Sequence, residues 1–131
     1  MPTERPLTPP HGGTPAPDTA FLPGGATVRL RPLAERIAKR HRKEFPDEKK
    51  RYGDVGMEWC VHDNQYLLAW AALSLEELVD FSDRVNWLAE LLDSRGYPVE
   101  RLARDLEIAA ELVDQEEWSA VLSAGAKEVR G

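Results

Sequence analysis

The amino-acid sequence predicts an all-α fold: an antiparallel bundle of four to five helices behind a disordered N-terminal tail. Three observations carry this. Apolar residues between Leu30 and Leu122 recur at intervals of three and four, the helical spacing. No segment shows sustained two-residue alternation, and no Asn-Gly or Asp-Gly dipeptide marks a hairpin. Residues 1–25 hold seven of the ten prolines and four of the nine glycines. Proline removes a backbone donor, and the few apolar side chains of this stretch cannot offset the entropy of ordering it. Residues 1–26 are therefore expected to be a disordered tail and residues 27–131 the helical domain, with local docking of Phe21 and Leu22.

The first helix is expected from about Arg31, with Pro32 at its first position, where a missing N–H costs nothing. Leu33, Ile37 and His41 form its buried stripe, and Pro46 ends it. A short helical turn, Asp47 to Tyr52, follows. Gly53 and Gly56 bracket the start of a second long helix running to Leu73. Its two adjoining stripes, one through Cys60, Asn64 and Leu68 and one through Trp59, Asp63, Tyr66 and Trp70, predict burial over a wide arc.

Ser74-Leu75-Glu76-Glu77 has the form of a capping box and is expected to open the third helix, which stops at Gly96. Leu75, Leu78, Ser82, Val85 and Leu88 would be its core face. The fourth helix spans Pro98 to Val113, and Asp114-Gln115-Glu116-Glu117 opens a short final helix containing Trp118 and Leu122. Short connections between long amphipathic helices imply antiparallel neighbours.

Net charge is −6 over 131 residues, but it is unevenly placed. Residues 27–51 carry ten Lys/Arg against four acids, and residues 52–131 carry six against seventeen. A basic first helix can lie against the acidic remainder or against a partner. Nucleic acid is a further partner for the run Arg36 to Lys43, although the acidic body opposes phosphates. No stretch approaches the ~18 apolar residues of a membrane helix. The N-terminus lacks a signal-peptide core, and Cys60 is the sole cysteine. A cytoplasmic location is the expectation that follows.

Catalytic signatures are not visible: no glycine-rich phosphate loop, no GxSxG, no HExxH and no CxxC. No catalytic residue and no metal-ligand set is assigned, and no cofactor is identified. Glu58 and His62 share a helix face, which leaves a haem, tetrapyrrole or metal role near His62 and Trp59 as an alternative. Cys60 reads as a buried structural thiol.

The residues most open to function lie on the second and third helices. Asn64 interrupts an apolar stripe, and Ser82 and Asn86 interrupt the facing one. A buried amide without partners costs roughly 1–3 kcal/mol. A polar layer joining the two helices would satisfy all three, either fixing register or lining a small ligand pocket with Asp63 and Tyr66. Trp59, Trp70 and Trp87 would wall it, or anchor an interface.

Leu33 to Val113 resembles a helical module of bacterial sensory and regulatory proteins that sometimes accompanies cobalamin-binding domains. The resemblance rests on Arg51-Tyr52-Gly53-Asp54, Cys60, Asp63, Tyr66, Phe81 through Trp87-Leu88, Ser94-Arg95-Gly96 and Leu102. Where that family places a histidine after the tyrosine, this chain has Leu67. The resemblance implies a sensory or interaction bundle acting alone or through a partner. The expected function is thus a non-enzymatic regulatory module that binds a protein partner, a second copy of itself, or a small ligand.

Overall fold

The computed structural model of the chain describes Pro10 and residues 15–131. Five helices form the body: α1 (Leu30–Glu44), α2 (Asp47–Leu75), α3 (Phe81–Ser94), α4 (Val99–Leu112) and α5 (Glu116–Arg130). They are preceded by a small antiparallel hairpin, β1 (Thr19–Phe21) and β2 (Thr27–Arg29). The helical bundle expected from the apolar spacing is the fold observed. Helix α1 packs against α2 and α4, while α5 packs against α4, α3 and α2. Leu30, Ile37, Leu67, Leu68, Leu106, Ile108, Trp118 and Leu122 fill the middle, each almost wholly removed from solvent. Trp118 is also satisfied there, its indole N–H donating to the Leu68 carbonyl oxygen at 3.1 Å.

The hairpin departs from the expected tail. Residues 1–9 and 11–14 lie outside the described residues, but Ala20 and Leu22 are buried against the bundle. Thr19 pairs with Arg29, Ala20 with Val28 and Phe21 with Thr27. Gly24 and Gly25 turn the chain, both at positive φ. Asp18 pins the hairpin to α1: its carboxylate accepts from the Arg31 backbone N–H at 2.9 Å and from Arg29 at 3.0 Å. Two glutamine side chains tie it to the bundle, Gln65 donating to the Pro17 carbonyl at 3.0 Å and Gln115 to that of Pro23 at 3.3 Å. Strands this short leave too little alternation to register in the sequence.

Helix α1 starts at Leu30, so Pro32 lies inside its first turn, where the amide would lack an intrahelical partner anyway. Phe45 leaves helical geometry immediately before Pro46, as a residue preceding proline must. Helix α2 is two helices joined across a kink at Gly53, whose φ of 64° and ψ of −157° lie in a region open only to glycine. The expected short turn before the long helix is therefore present, and Arg42 donates to the Gly53 carbonyl at 3.1 Å to hold the break.

The third helix begins at Phe81, not at Leu75. Ser74 belongs to the last turn of α2, where its hydroxyl donates back to the Ala71 carbonyl at 2.7 Å. This local bond competes with capping. The cap is Asp80, whose carboxylate accepts from the Asp83 amide at 3.2 Å. Pro98 is the N-cap of α4 rather than its first helical residue. Gln115 is the N-cap of α5, which extends fifteen residues, longer than the short final helix expected. Among the described residues no helix is long and apolar enough to cross a membrane.

Candidate functional site

Two groupings of side chains carry chemistry: an aromatic row on the surface of α2 and α3, and a polar centre buried between α1, α2 and α4. The row arises from spacing within α2. Residues 59, 62, 66 and 70 recur at three and four, so their side chains stand one above another on one face. Trp59 meets His62 edge-on, with ring centroids 5.0 Å apart; His62 meets Tyr66 at 5.1 Å, and Tyr66 meets Trp70 at 5.5 Å. Trp87 of α3 continues the row at 6.4 Å from Trp70. Arg84 sets its guanidinium 5.6 Å from the Trp70 ring centre, a cation–π contact. Asp63 orients His62 through a 3.2 Å contact with Nδ1. The structure thus brings together Trp59, Asp63, Tyr66, Trp70 and Trp87, with His62 in the middle.

The expected polar layer does not form. Asn64 is 1% exposed and points to α4, donating to Asp105 at 3.0 Å and to the Cys60 carbonyl at 2.9 Å. Ser82 and Asn86 lie on the exposed face of α3 and both donate to Glu128 of α5, at 2.7 and 3.1 Å. The cause is phase. With α3 starting at Phe81, its buried face is Phe81, Val85 and Leu88, which turns Ser82 and Asn86 outward. The three residues therefore do not share a pocket.

The buried centre gathers residues that the sequence reading treated as ordinary core or surface. His41 of α1 is 2% exposed, Glu48 at the start of α2 is 6% exposed and Asp105 of α4 is 5% exposed. His41 Nε2 lies 3.2 Å from the Arg101 carbonyl oxygen, and Nδ1 lies 3.6 Å from Glu48 Oε1. The other Glu48 oxygen accepts from the Tyr97 hydroxyl at 2.8 Å and from Arg101 at 2.9 Å. Arg101 in turn lies over the Phe45 ring, 4.4 Å from its centre, and Phe45 makes a tilted ring contact with His41 at 4.8 Å. One ligand-type atom from each of His41, Cys60 and Asp105 lies within 4.8 Å of the other two.

Burial dominates the electrostatics here. Loss of solvation pushes the Asp105 carboxyl up to about 6, against partial opposition from His41 and the Asn64 hydrogen bond. Burial, then the Asp105 and Asp63 carboxylates, push the Cys60 thiol well up. The Tyr97 hydroxyl is raised by burial and by its bond to Glu48. His41 on the apolar stripe of α1, and Asp105 beside Leu102 and Leu106, were the sequence signals for this centre: polar residues in phase with core positions.

An open groove of about 450 Å³ separates the hairpin, α1 and the α4–α5 connection, lined by Leu22, Val28, Leu33, Arg36, Gln115 and Trp118. None of the residues expected to bind a ligand lines it. The basic run is partly engaged within the fold, since Arg40 pairs with Glu111 at 2.9 Å and Arg42 donates to the Gly53 carbonyl at 3.1 Å. Arg36, Lys39 and Lys43 stay exposed. Comparison with protein-family models, curated proteins and solved structures finds no match to this chain.

Proposed function

We propose that this chain is a non-enzymatic interaction module, a helical bundle that docks a protein partner through the aromatic row of α2 and α3, with a second copy of itself as the simplest occupant. One observation supports it above others: five aromatic rings stand in unbroken contact along the surface and end in Trp87, which is 57% exposed. Leu73 and Leu78, in the last turn of α2 and the connection after it, are exposed large apolar residues as well, at 39% and 68%. Large aromatics anchor interfaces because they bury much area while ordering few torsions. A row running along one helix is self-complementary when two copies meet about a two-fold axis. A regulatory role for such docking is what the resemblance read from the sequence would imply.

Sedimentation velocity on the full chain tests it. The expected result is concentration-dependent association that Trp87→Asp abolishes while the far-ultraviolet helix signal is unchanged. A wild-type chain that stays monomeric at tens of micromolar, and retains nothing from a cell lysate in a pull-down, sinks the reading.

A further inference from the structure

We infer that the buried centre between α1, α2 and α4 is a binding site for one divalent transition-metal ion of zinc-like character, held by His41, Cys60 and Asp105. The site is independent of the aromatic row and of the docking reading.

Three features point to it. First, the donor set is right. An imidazole nitrogen, a thiolate sulfur and a carboxylate oxygen are the three side-chain ligands zinc takes. They come from three different helices, and one ligand-type atom of each lies within 4.8 Å of the others. A tetrahedral ion with bonds of about 2.0–2.3 Å sets its ligands about 3.3–3.8 Å apart. Closing the trio onto an ion therefore shortens its separations by at most about 1.0–1.5 Å.

Second, the surroundings are those of a supported metal site. A ligating histidine usually anchors its other ring nitrogen on a carbonyl or carboxylate. His41 Nε2 is 3.2 Å from the Arg101 carbonyl and Nδ1 faces the Glu48 carboxylate, so whichever ring nitrogen takes the ion leaves the other anchored. Nδ1 faces Glu48 Oε1 at 3.6 Å, too long for a good hydrogen bond but the separation of two ligands on a common ion. Asn64 reaches both remaining ligands, with its amide nitrogen 3.0 Å from Asp105 Oδ1 and 3.6 Å from Cys60 Sγ.

Third, a polar atom is left over. Asn64 Oδ1 is buried with no hydrogen-bond partner among the described residues, in a side chain only 1% exposed. Such an orphan acceptor calls for an explanation. Glu48 Oε1, 3.6 Å from His41 Nδ1, is the candidate for a fourth position. A doubly charged ion would also neutralise the thiolate and the Asp105 carboxylate, two anions that are otherwise poorly accommodated in this interior. On binding, the Cys60 thiol proton leaves to solvent and a metal–sulfur bond replaces the S–H bond.

Cobalt titration of the metal-stripped full chain, kept reduced, reads the site directly. Cys60 is the only cysteine, so a thiolate-to-cobalt charge-transfer band can arise from no other residue. The expected result is that band saturating at one equivalent, accompanied by intense tetrahedral visible bands, and removed by stoichiometric zinc. Cys60→Ser abolishes the band, and Asp105→Asn or His41→Gln weakens binding by more than about tenfold. His62→Gln, on the surface row, leaves it intact. The wild-type spectrum needs no variant to fold, and circular dichroism verifies each variant that is used. The absence of a charge-transfer band at excess cobalt in helical wild-type protein overturns the site. A band that persists undiminished in folded Asp105→Asn and His41→Gln overturns it as well, because the ion would then sit on Cys60 with other ligands.

Discussion

Glu77 occupies the position at which Gly96 closes another helix of the same chain. Both ends are Schellman turns. After α2, Leu78 N–H bonds to the Leu73 carbonyl and Glu77 N–H to that of Ser74; after α3, Tyr97 N–H bonds to Leu92 and Gly96 N–H to Asp93. The residue at the left-handed position is Gly96 in one, with φ 79°, and Glu77 in the other, with φ 58°. An L side chain there costs roughly 1–2 kcal/mol from its Cβ against the following carbonyl. Glu77→Gly is therefore expected to stabilise the protein by about 0.5–1 kcal/mol once the entropy of glycine in the unfolded chain is subtracted. A rise in the urea midpoint at unchanged slope is the measurement, and a fall refutes the strain. Asp105 makes a second residue-scale prediction. Its carboxyl is raised to about 6 in the fold, so its protonated form contributes stability that is complete below about pH 4 and lost as pH rises through 6. The groups that face it are His41, Cys60, Asn64, Glu48 and Asp63. In chelator, Asp105→Asn should gain on wild type by roughly 1–3 kcal/mol between pH 4 and 7.5. Parallel urea titrations at the two pH values decide it, and a pH-independent difference excludes the shift.

Helix α2 sets the geometry of both functional groupings, and its break is what allows this. Gly53 turns the short N-terminal segment so that Glu48 faces His41, while the long segment carries the aromatic row on one side and Cys60 and Asn64 on another. The break also crowds the first turn of the long segment. A Cβ on Gly56 would lie 2.3 Å from the Tyr52 Cβ, an atom close to the backbone that cannot swing away. Gly56→Ala is expected to destabilise by about 1–3 kcal/mol, although alanine is the better helix former at an unstrained site. A neutral or stabilising result in thermal unfolding shows that the two segments can straighten. A second close approach ties α5 to α3, where a Cβ on Gly125 would meet the buried Phe81 ring at 2.7 Å. The helix boundaries follow similar local rivalries. Ser74 had the sequence form of an N-cap and acts as the last turn of α2, because its hydroxyl bonds back to Ala71.

At the scale of the whole molecule, the hairpin and the bundle share one core. Ala20 and Leu22 are buried, at 4% and 5%, in the same cluster as Leu30, Leu33 and Trp118. Leu22→Ala should then cost about 2–3 kcal/mol in a single cooperative transition, the range of a buried leucine truncation. A loss of only a few tenths, or a separate early phase in denaturation, marks the hairpin as an independently fraying appendage. The charges also couple distant parts. Arg104 bridges Glu44, Glu107 and Glu111, and Arg130 bridges Glu100 and Glu107, so α1, α4 and α5 are laced along their exposed edges. Exposed pairs of this kind contribute about 0–1 kcal/mol each, so the buried apolar contacts remain the main source of stability.

Read alone, the sequence yields the helical class, a count of four to five helices, the break near Gly53, the closure at Gly96 and an aromatic stripe through Trp59, Tyr66 and Trp70, whereas His62 joins that row only in the structure. All of these are consequences of spacing along one chain segment, where a residue's neighbours lie within four positions. Only the tertiary structure places Asn64 on Asp105 instead of Ser82 and Asn86, brings His41, Glu48 and Cys60 together, and buries Ala20 beside Leu22 while leaving Phe21 exposed. Most of those contacts link positions tens of residues apart. They depend on the rotation of each helix about its axis, and a shift of one residue in a helix start turns that face by about 100°.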